Sequence, residues 1–256
     1  MYSIDVSLMN HTPNMKETVY AAYRQCFSRL TAQTIFNDAL TEDHTVYAET
    51  LIRNCIKRGH LSPLEHASFT FSISGCSRAC SHQLVRHRLA SYSQQSQRYV
   101  KMDMKDMPFF IPQSISTIYY KEYIEMLNTI SGFYNTLIEK GIPKEDARYI
   151  LPEATRTKIV VTMNLRELIH FFHERLCGKA QDEIREAATA MAELVIREES
   201  WLAEYIGPKC KGKERCMDGD IVLCSEHYRW RFEDEEAIDV NYTEEKKEDN
   251  EENPSD

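Results

Sequence analysis

Residues 85–100, VRHRLASYSQQSQRYV, hold three arginines, one histidine, two tyrosines, three serines and three glutamines. Each of these side chains donates or accepts hydrogen bonds, and none is acidic. The gap extends further: from His66 to Met102 no Asp or Glu occurs in 37 residues, while Arg78, Arg86, Arg88, Arg98, Lys101, His66, His82 and His87 do. A solvated surface normally mixes both signs of charge. Cations without carboxylates make a positive field that favours anionic ligands, and the planar guanidinium offers phosphate two parallel N–H bonds. Glutamine can serve a pyrimidine edge as donor and acceptor at once. Two blander outcomes fit the same residues. Cations near a helix C-terminus complement its dipole, and a serine–glutamine run is also what a polar surface loop contains.

The surrounding pattern indicates what positions these groups. A helix is expected over residues 77–88, broken by SYSQQS, whose side chains prefer loops and caps. On that helix Arg86, His87 and Arg88 would fan about 100° apart, serving an extended ligand or two ligands that meet. YSIDVSL and TKIVVTM are expected as strands, and SFTFSIS as a half-buried strand with Phe69, Phe71 and Ile73 inward. Helices are expected over residues 16–28 and 45–58, the second with Leu51, Ile52 and Cys55 on one face and Gly59 as its stop. GIPKEDARYILP gives a short helix ended by Pro152. Asn164 is the expected N-cap of the next helix, with Glu167 as its capping-box partner and Leu168, Ile169 and Phe172 as its stripe. A last helix carries Ile184, Ala187, Ala188, Met191, Leu194 and Val195. No regular βαβ repeat or glycine-rich strand-to-helix turn occurs, so the fold class is α+β.

The 256 residues suffice for one large domain with a proper core. Neither a signal peptide nor a bilayer-length apolar stretch is visible, so a cytoplasmic chain without membrane contact is expected. The net charge of −9 comes from the end: residues 232–256 hold twelve acids against Lys246 and Lys247, and without them the chain is nearly neutral. That tail is expected to be solvated and disordered. The eight cysteines are expected as thiols rather than a disulfide framework. Cys210, Cys216, Cys224 and His227 lack a paired C-x2-C knuckle, so residues 208–231 read as a cysteine-containing extension and no metal is assigned. His170 and His173, three apart, read as a packed or exposed pair rather than ligands.

The spacing Arg86-His87-Arg88, seven residues, then Ser96 resembles the signature of flavin-dependent thymidylate synthases. GHLSPLEH (59–66), ARYILP (147–152), NLRELIHF (164–171) and RLCGKAQDEIR (175–185) resemble that family's other blocks, in order, over roughly residues 15–207. The resemblance implies a catalytic domain over 1–207 with helices around a central, mostly antiparallel sheet. It implies a methyltransferase that makes dTMP from dUMP, with methylenetetrahydrofolate as carbon donor, NADPH as reductant and FAD as mediator, and no cysteine nucleophile. It also implies a homotetramer with active sites between subunits. By position, His60, Ser62, Glu65, Arg86, His87, Arg88, Gln94, Asn164, Arg166 and His170 would bind FAD. Gln83, Arg86, Gln94, Gln95, Ser96, Gln97, Arg98, Arg148 and Arg175 would bind dUMP, with Arg175 the catalytic residue against the uracil. Gln94, His170 and Lys179 depart from the common Glu, Asn and His. The folate and nicotinamide contacts are not assigned by these motifs.

Chemically, methylating uracil C5 needs nucleophilic character at that carbon. A serine nucleophile needs a positioned base, and the sequence gives Ser96 none, so a hydrogen-bonding role is expected for it. On residues alone, Arg148 could be a plain surface cation and Arg175 could pair with Glu174 or cap carbonyls. Competing classes are a nucleic-acid module stacking bases on Tyr92 and Tyr99, another flavin or nucleotide enzyme, and a purely structural protein. Too few cations and no RNA-binding motif weigh against the first, so no nucleic-acid partner is expected.

Overall fold

A computed structural model describes residues 4–41, 45–102, 108–213, 215, 216 and 230. Its sheet has four strands, β1 (Asp5–His11), β2 (Ser68–Ser77), β3 (Ala90–Gln94) and β4 (Arg156–Asn164), in the order β1-β2-β4-β3 with every pairing antiparallel. Around it, among the described residues, lie α1 (Met15–Gln25), α2 (Ala32–Ala39), α3 (Thr45–Lys57), α4 (Arg78–Leu84), α5 (Gln113–Ile118), α6 (Tyr120–Glu139), α7 (Lys144–Ala147), α8 (Leu165–Arg175) and α9 (Asp182–Glu198). The fold is α+β, as the pattern requires. None of these helices is long and apolar enough to cross a membrane.

Alternation in β2 and β4 builds the core. Phe69 pairs with Met163, Phe71 with Val161 and Ile73 with Ile159, and all six side chains are buried. Burying one such side chain contributes about 1.5–3 kcal/mol. The next residue out, Thr70, meets Thr162 at 2.9 Å through their hydroxyls on the other face. Over the apolar face pack α8, with Leu168, Phe171 and Phe172 inward, and α9, with Ile184, Ala187, Ala188, Met191 and Val195 inward. Gly59 and Gly141 end α3 and α6 at φ of 79° and 81°, the left-handed region where a Cβ is costly.

Three sequence expectations change. The helix expected to Arg88 stops at Leu84, so Arg86 lies in a turn and Arg88 beyond it. The Tyr92 hydroxyl is shared between the carbonyls of Leu84 and His87, at 2.9 and 2.7 Å, and folds the chain back there. Ser91 to Gln94, expected as loop, form β3, because the exposed edge of β4 supplies a hydrogen-bonding template that outweighs their loop preference. α5 and α6 were not anticipated, although Leu127, Ser131 and Tyr134 sit at helical spacing and are buried.

The seven cysteines among the described residues are free thiols. Cys224 and His227, like residues 232–256, lie outside the described residues. Among the described residues no group of three His, Cys, Asp or Glu side chains is arranged to hold a metal.

Candidate active site

Two helix ends converge on the basic window. α4 and α8 each begin with a side-chain cap: Ser77 Oγ accepts from the Cys80 N–H at 3.0 Å, and Asn164 Oδ1 accepts from the Glu167 N–H at 2.9 Å. The caps fix where both helices start, and therefore where their C-termini deliver Gln83 and Arg175. Ser77 does more. Its N–H and hydroxyl both donate to the Glu183 carboxylate, each at 2.6 Å, tying α4 to α9. Glu183 is 1% exposed, and burial pushes its pKa up against the lowering effect of the two Ser77 bonds.

At the other end, the Arg175 Nε–H donates to His87 Nε2 at 3.0 Å and its Nη2 reaches the Gln83 carbonyl at 3.4 Å. It makes no ion pair with Glu174 among the described residues. His87 is 5% exposed, edge-on to Phe171 at 5.0 Å and 5.6 Å from the His170 ring. Burial, then the nearby Arg175 and His170, push its pKa down to about 4, so it is neutral near pH 7. Glu167 Oε1 stands 3.4 Å from His87 Nδ1. The expected capping box is therefore half made: Asn164 caps α8, while the Glu167 carboxylate turns toward His87.

The other expected site residues divide into two groups. Arg86 and Arg88 are exposed, and their guanidiniums meet no carboxylate among the described residues. Most of the rest are already engaged. Arg98 pairs with Glu145 at 2.8 Å, Arg148 Nε donates to the Glu145 carbonyl at 3.1 Å, and Arg166 pairs with Glu65 at 2.6 Å. Gln83 bonds Gln181, and Gln94 is anchored inward on Ser81 Oγ at 2.9 Å and Thr157 Oγ1 at 3.3 Å. Ser96 Oγ accepts from the Arg98 N–H at 3.2 Å, and no base contacts it among the described residues. Gln95 and Gln97 are half-buried, and the Gln95 N–H continues the sheet to the Lys158 carbonyl at 2.9 Å. His60, whose carbonyl accepts from Tyr23 at 2.6 Å, Ser62 and Glu65 are exposed in and beside the 3-10 turn Ser62–His66, which packs against α8. His170 is exposed next to His87, and Lys179 is exposed after α8.

The family model described as thymidylate synthase complementing protein matches residues 7–198. The chain belongs to the flavin-dependent thymidylate synthase family. Relatives named flavin-dependent thymidylate synthase include one from Geobacter sulfurreducens, 42% identical over 207 residues, which are 80% of this chain and 88% of the relative. A second, from Pyrococcus horikoshii, is 44% identical over 227 residues, covering 86% and 92%. A third, from Nitratidesulfovibrio vulgaris, is 38% identical over 233 residues, covering 87% and 94%. In this member of the family, α4, β3, β4, α8 and α9 all fall inside the matched span.

Sequence reasoning missed Glu167 as a site residue, along with Glu145 and Glu183. Glu167 could have been noticed as a carboxylate one turn before His170 on an otherwise apolar face. The partners of Arg98 and Ser77 carry no local signal, since they come from 47 and 106 residues away.

Proposed function

We propose that this chain makes dTMP from dUMP, taking the carbon from methylenetetrahydrofolate and reducing equivalents from NADPH, with FAD as cofactor. One observation supports it beyond family membership. Arg175 is held by a neutral histidine and a carbonyl, not by a carboxylate, so it keeps its full charge and most of its donors for a ligand. Arg86 and Arg88, which flank His87 in the chain, add two exposed guanidiniums. This donor set suits FAD and dUMP, which carry phosphates and a carbonyl-rich ring, and it would suit a cation poorly.

Arg86 and Arg88 would hold phosphate, and Arg175 would donate to the pyrimidine carbonyl and stabilise negative charge spreading through the ring toward C5. Ser96, without a base, would act as a hydrogen-bonding group in the turn before Arg98 rather than as a nucleophile. When bound, FAD would supply the two-electron chemistry of the methylation. Gln94 and Arg98, both engaged within the protomer, would contribute mainly by shaping the loop unless ligand displaces their partners.

The active unit would be a homotetramer with sites shared between subunits. Supporting it, Ile118, Tyr119, Tyr120, Met126 and Phe133 stand exposed along α5 and α6, and Tyr149 is 83% exposed beside Arg148. Exposed apolar side chains gathered on one segment are what an association surface would use. Residues 1–207 would form the catalytic domain, 208–231 an extension and 232–256 an acidic tail, in a cytoplasmic protein. The test is dTMP formation from dUMP with NADPH, methylenetetrahydrofolate and FAD, omitting each in turn. Product should require all four components. A well-folded yellow protein that forms no dTMP would refute the activity, and a monomer by light scattering would refute the assembly.

A further inference from the structure

Arg175 fixes the protonation pattern beneath it. Its Nε carries a hydrogen and has no lone pair to offer, so at 3.0 Å His87 Nε2 must be the acceptor. His87 is neutral, and its single ring proton therefore sits on Nδ1. The nearest carboxylate oxygen to Nδ1 is Glu167 Oε1 at 3.4 Å, longer than an ordinary N–H···O bond and drawn in only by a small shift of the ring, on a carboxyl that is 7% exposed and whose pKa burial pushes up. Glu167 lies two turns before Arg175 on α8, so one rigid helix carries both ends of the arrangement and His87 is inserted between them. The other ring neighbours are Phe171, which offers no lone pair, and the tilted ring of His170.

We propose that Glu167 is a positioning residue: it accepts the Nδ1 proton of His87, selects the tautomer whose Nε2 lone pair grips Arg175, and so sets the angle of the remaining guanidinium N–H groups. His87 thereby acts through Arg175, buried beneath it. The opposite tautomer would point an Nε2–H at the Arg175 Nε–H, donor against donor, and release the guanidinium. The link to turnover rests on the reading of Arg175 as the pyrimidine-facing group; the tautomer assignment does not.

The test uses full-length protein with 15N-labelled histidine, the His87 signals being assigned by their loss in His87→Gln. Wild type should show a protonated Nδ1 and an unprotonated Nε2 at neutral pH. Glu167→Gln, whose amide oxygen can still accept, should keep that pattern and keep kcat per bound flavin within about threefold. Glu167→Leu should lose it and lower kcat about tenfold, the factor a net hydrogen bond is worth, with a smaller change in KM for dUMP. A purely structural role would lower stability and flavin content in both variants while kcat per bound flavin stayed constant, which would overturn the proposal. So would an Nε2-protonated His87 in wild type, a result that needs no variant to fold. Wild-type protein showing the expected tautomer but forming no dTMP would uphold the relay and overturn the proposed activity instead.

Discussion

The bracket between Ser77 and Glu183 should be the most sensitive structural contact near the site. Ser77→Ala removes two interactions at once: the cap on the Cys80 N–H and the hydroxyl bond to the buried carboxylate. A lost cap costs about 1 kcal/mol and a lost hydrogen bond to a charged group about 1.5–3, so the sum is roughly 2.5–4 kcal/mol. For a chain this size that lowers Tm by roughly 5–15 °C. Equilibrium urea unfolding followed by circular dichroism measures it, and a loss under about 0.5 kcal/mol would refute the reasoning. Glu183→Gln gives a second check through pH. Burial holds the folded-state pKa of Glu183 above its ordinary value of about 4.3, so the folded protein keeps a proton that the unfolded chain releases. This carboxyl's contribution to stability is therefore greatest below that ordinary value and falls as pH rises through the raised one. The stability gap between wild type and Glu183→Gln should narrow across that window. A gap that widens with pH would contradict the assigned direction.

Arg175→Ala should lower turnover by about 10²–10³, the range for removing one charge-stabilising donor, while flavin absorbance persists in the purified protein. Ser96→Ala should retain measurable dTMP formation, since its hydroxyl has no base among the described residues; abolished turnover with intact dUMP binding would point to covalent attack. Tyr92→Phe frees the Leu84 and His87 carbonyls and should cost about 0.5–1.5 kcal/mol in urea unfolding, with faster hydrogen exchange over 84–92.

Elements whose information is local were legible. The alternation in β2 and β4, the stripes of α8 and α9, the glycine stop after α3 and the Asn164 cap all follow from residues within one or two turns. Features decided at long range were not. Serines and glutamines at 91–94 become a strand because β4 is beside them, and at the end of α4 the Leu84 carbonyl goes to the His87 N–H and the Tyr92 hydroxyl instead of a further helical turn. The acid-free window was read correctly as a run of residues but not as a volume. Folding brings Glu145 to Arg98, Glu153 to His82, Glu167 to His87 and Glu183 to Ser77. Among the described residues, Arg78, Arg86, Arg88 and Lys101 of that window meet no carboxylate, and Arg175 joins them from α8. α6 buries only Leu127, Ser131 and Tyr134 over its twenty residues, so its inward stripe is thinner than that of α9 and gives a weaker local signal.

The shared phenol of Tyr92 has a thermodynamic consequence. It makes the end of α4, the arginine turn and β3 one mechanical piece, with Arg86 and Arg88 at one end and Gln94 at the other. If flavin and nucleotide both load this piece, any effect of one on the other's dissociation constant must be returned by the same factor. Titrating flavin with and without the nucleotide, and the reverse, closes that cycle.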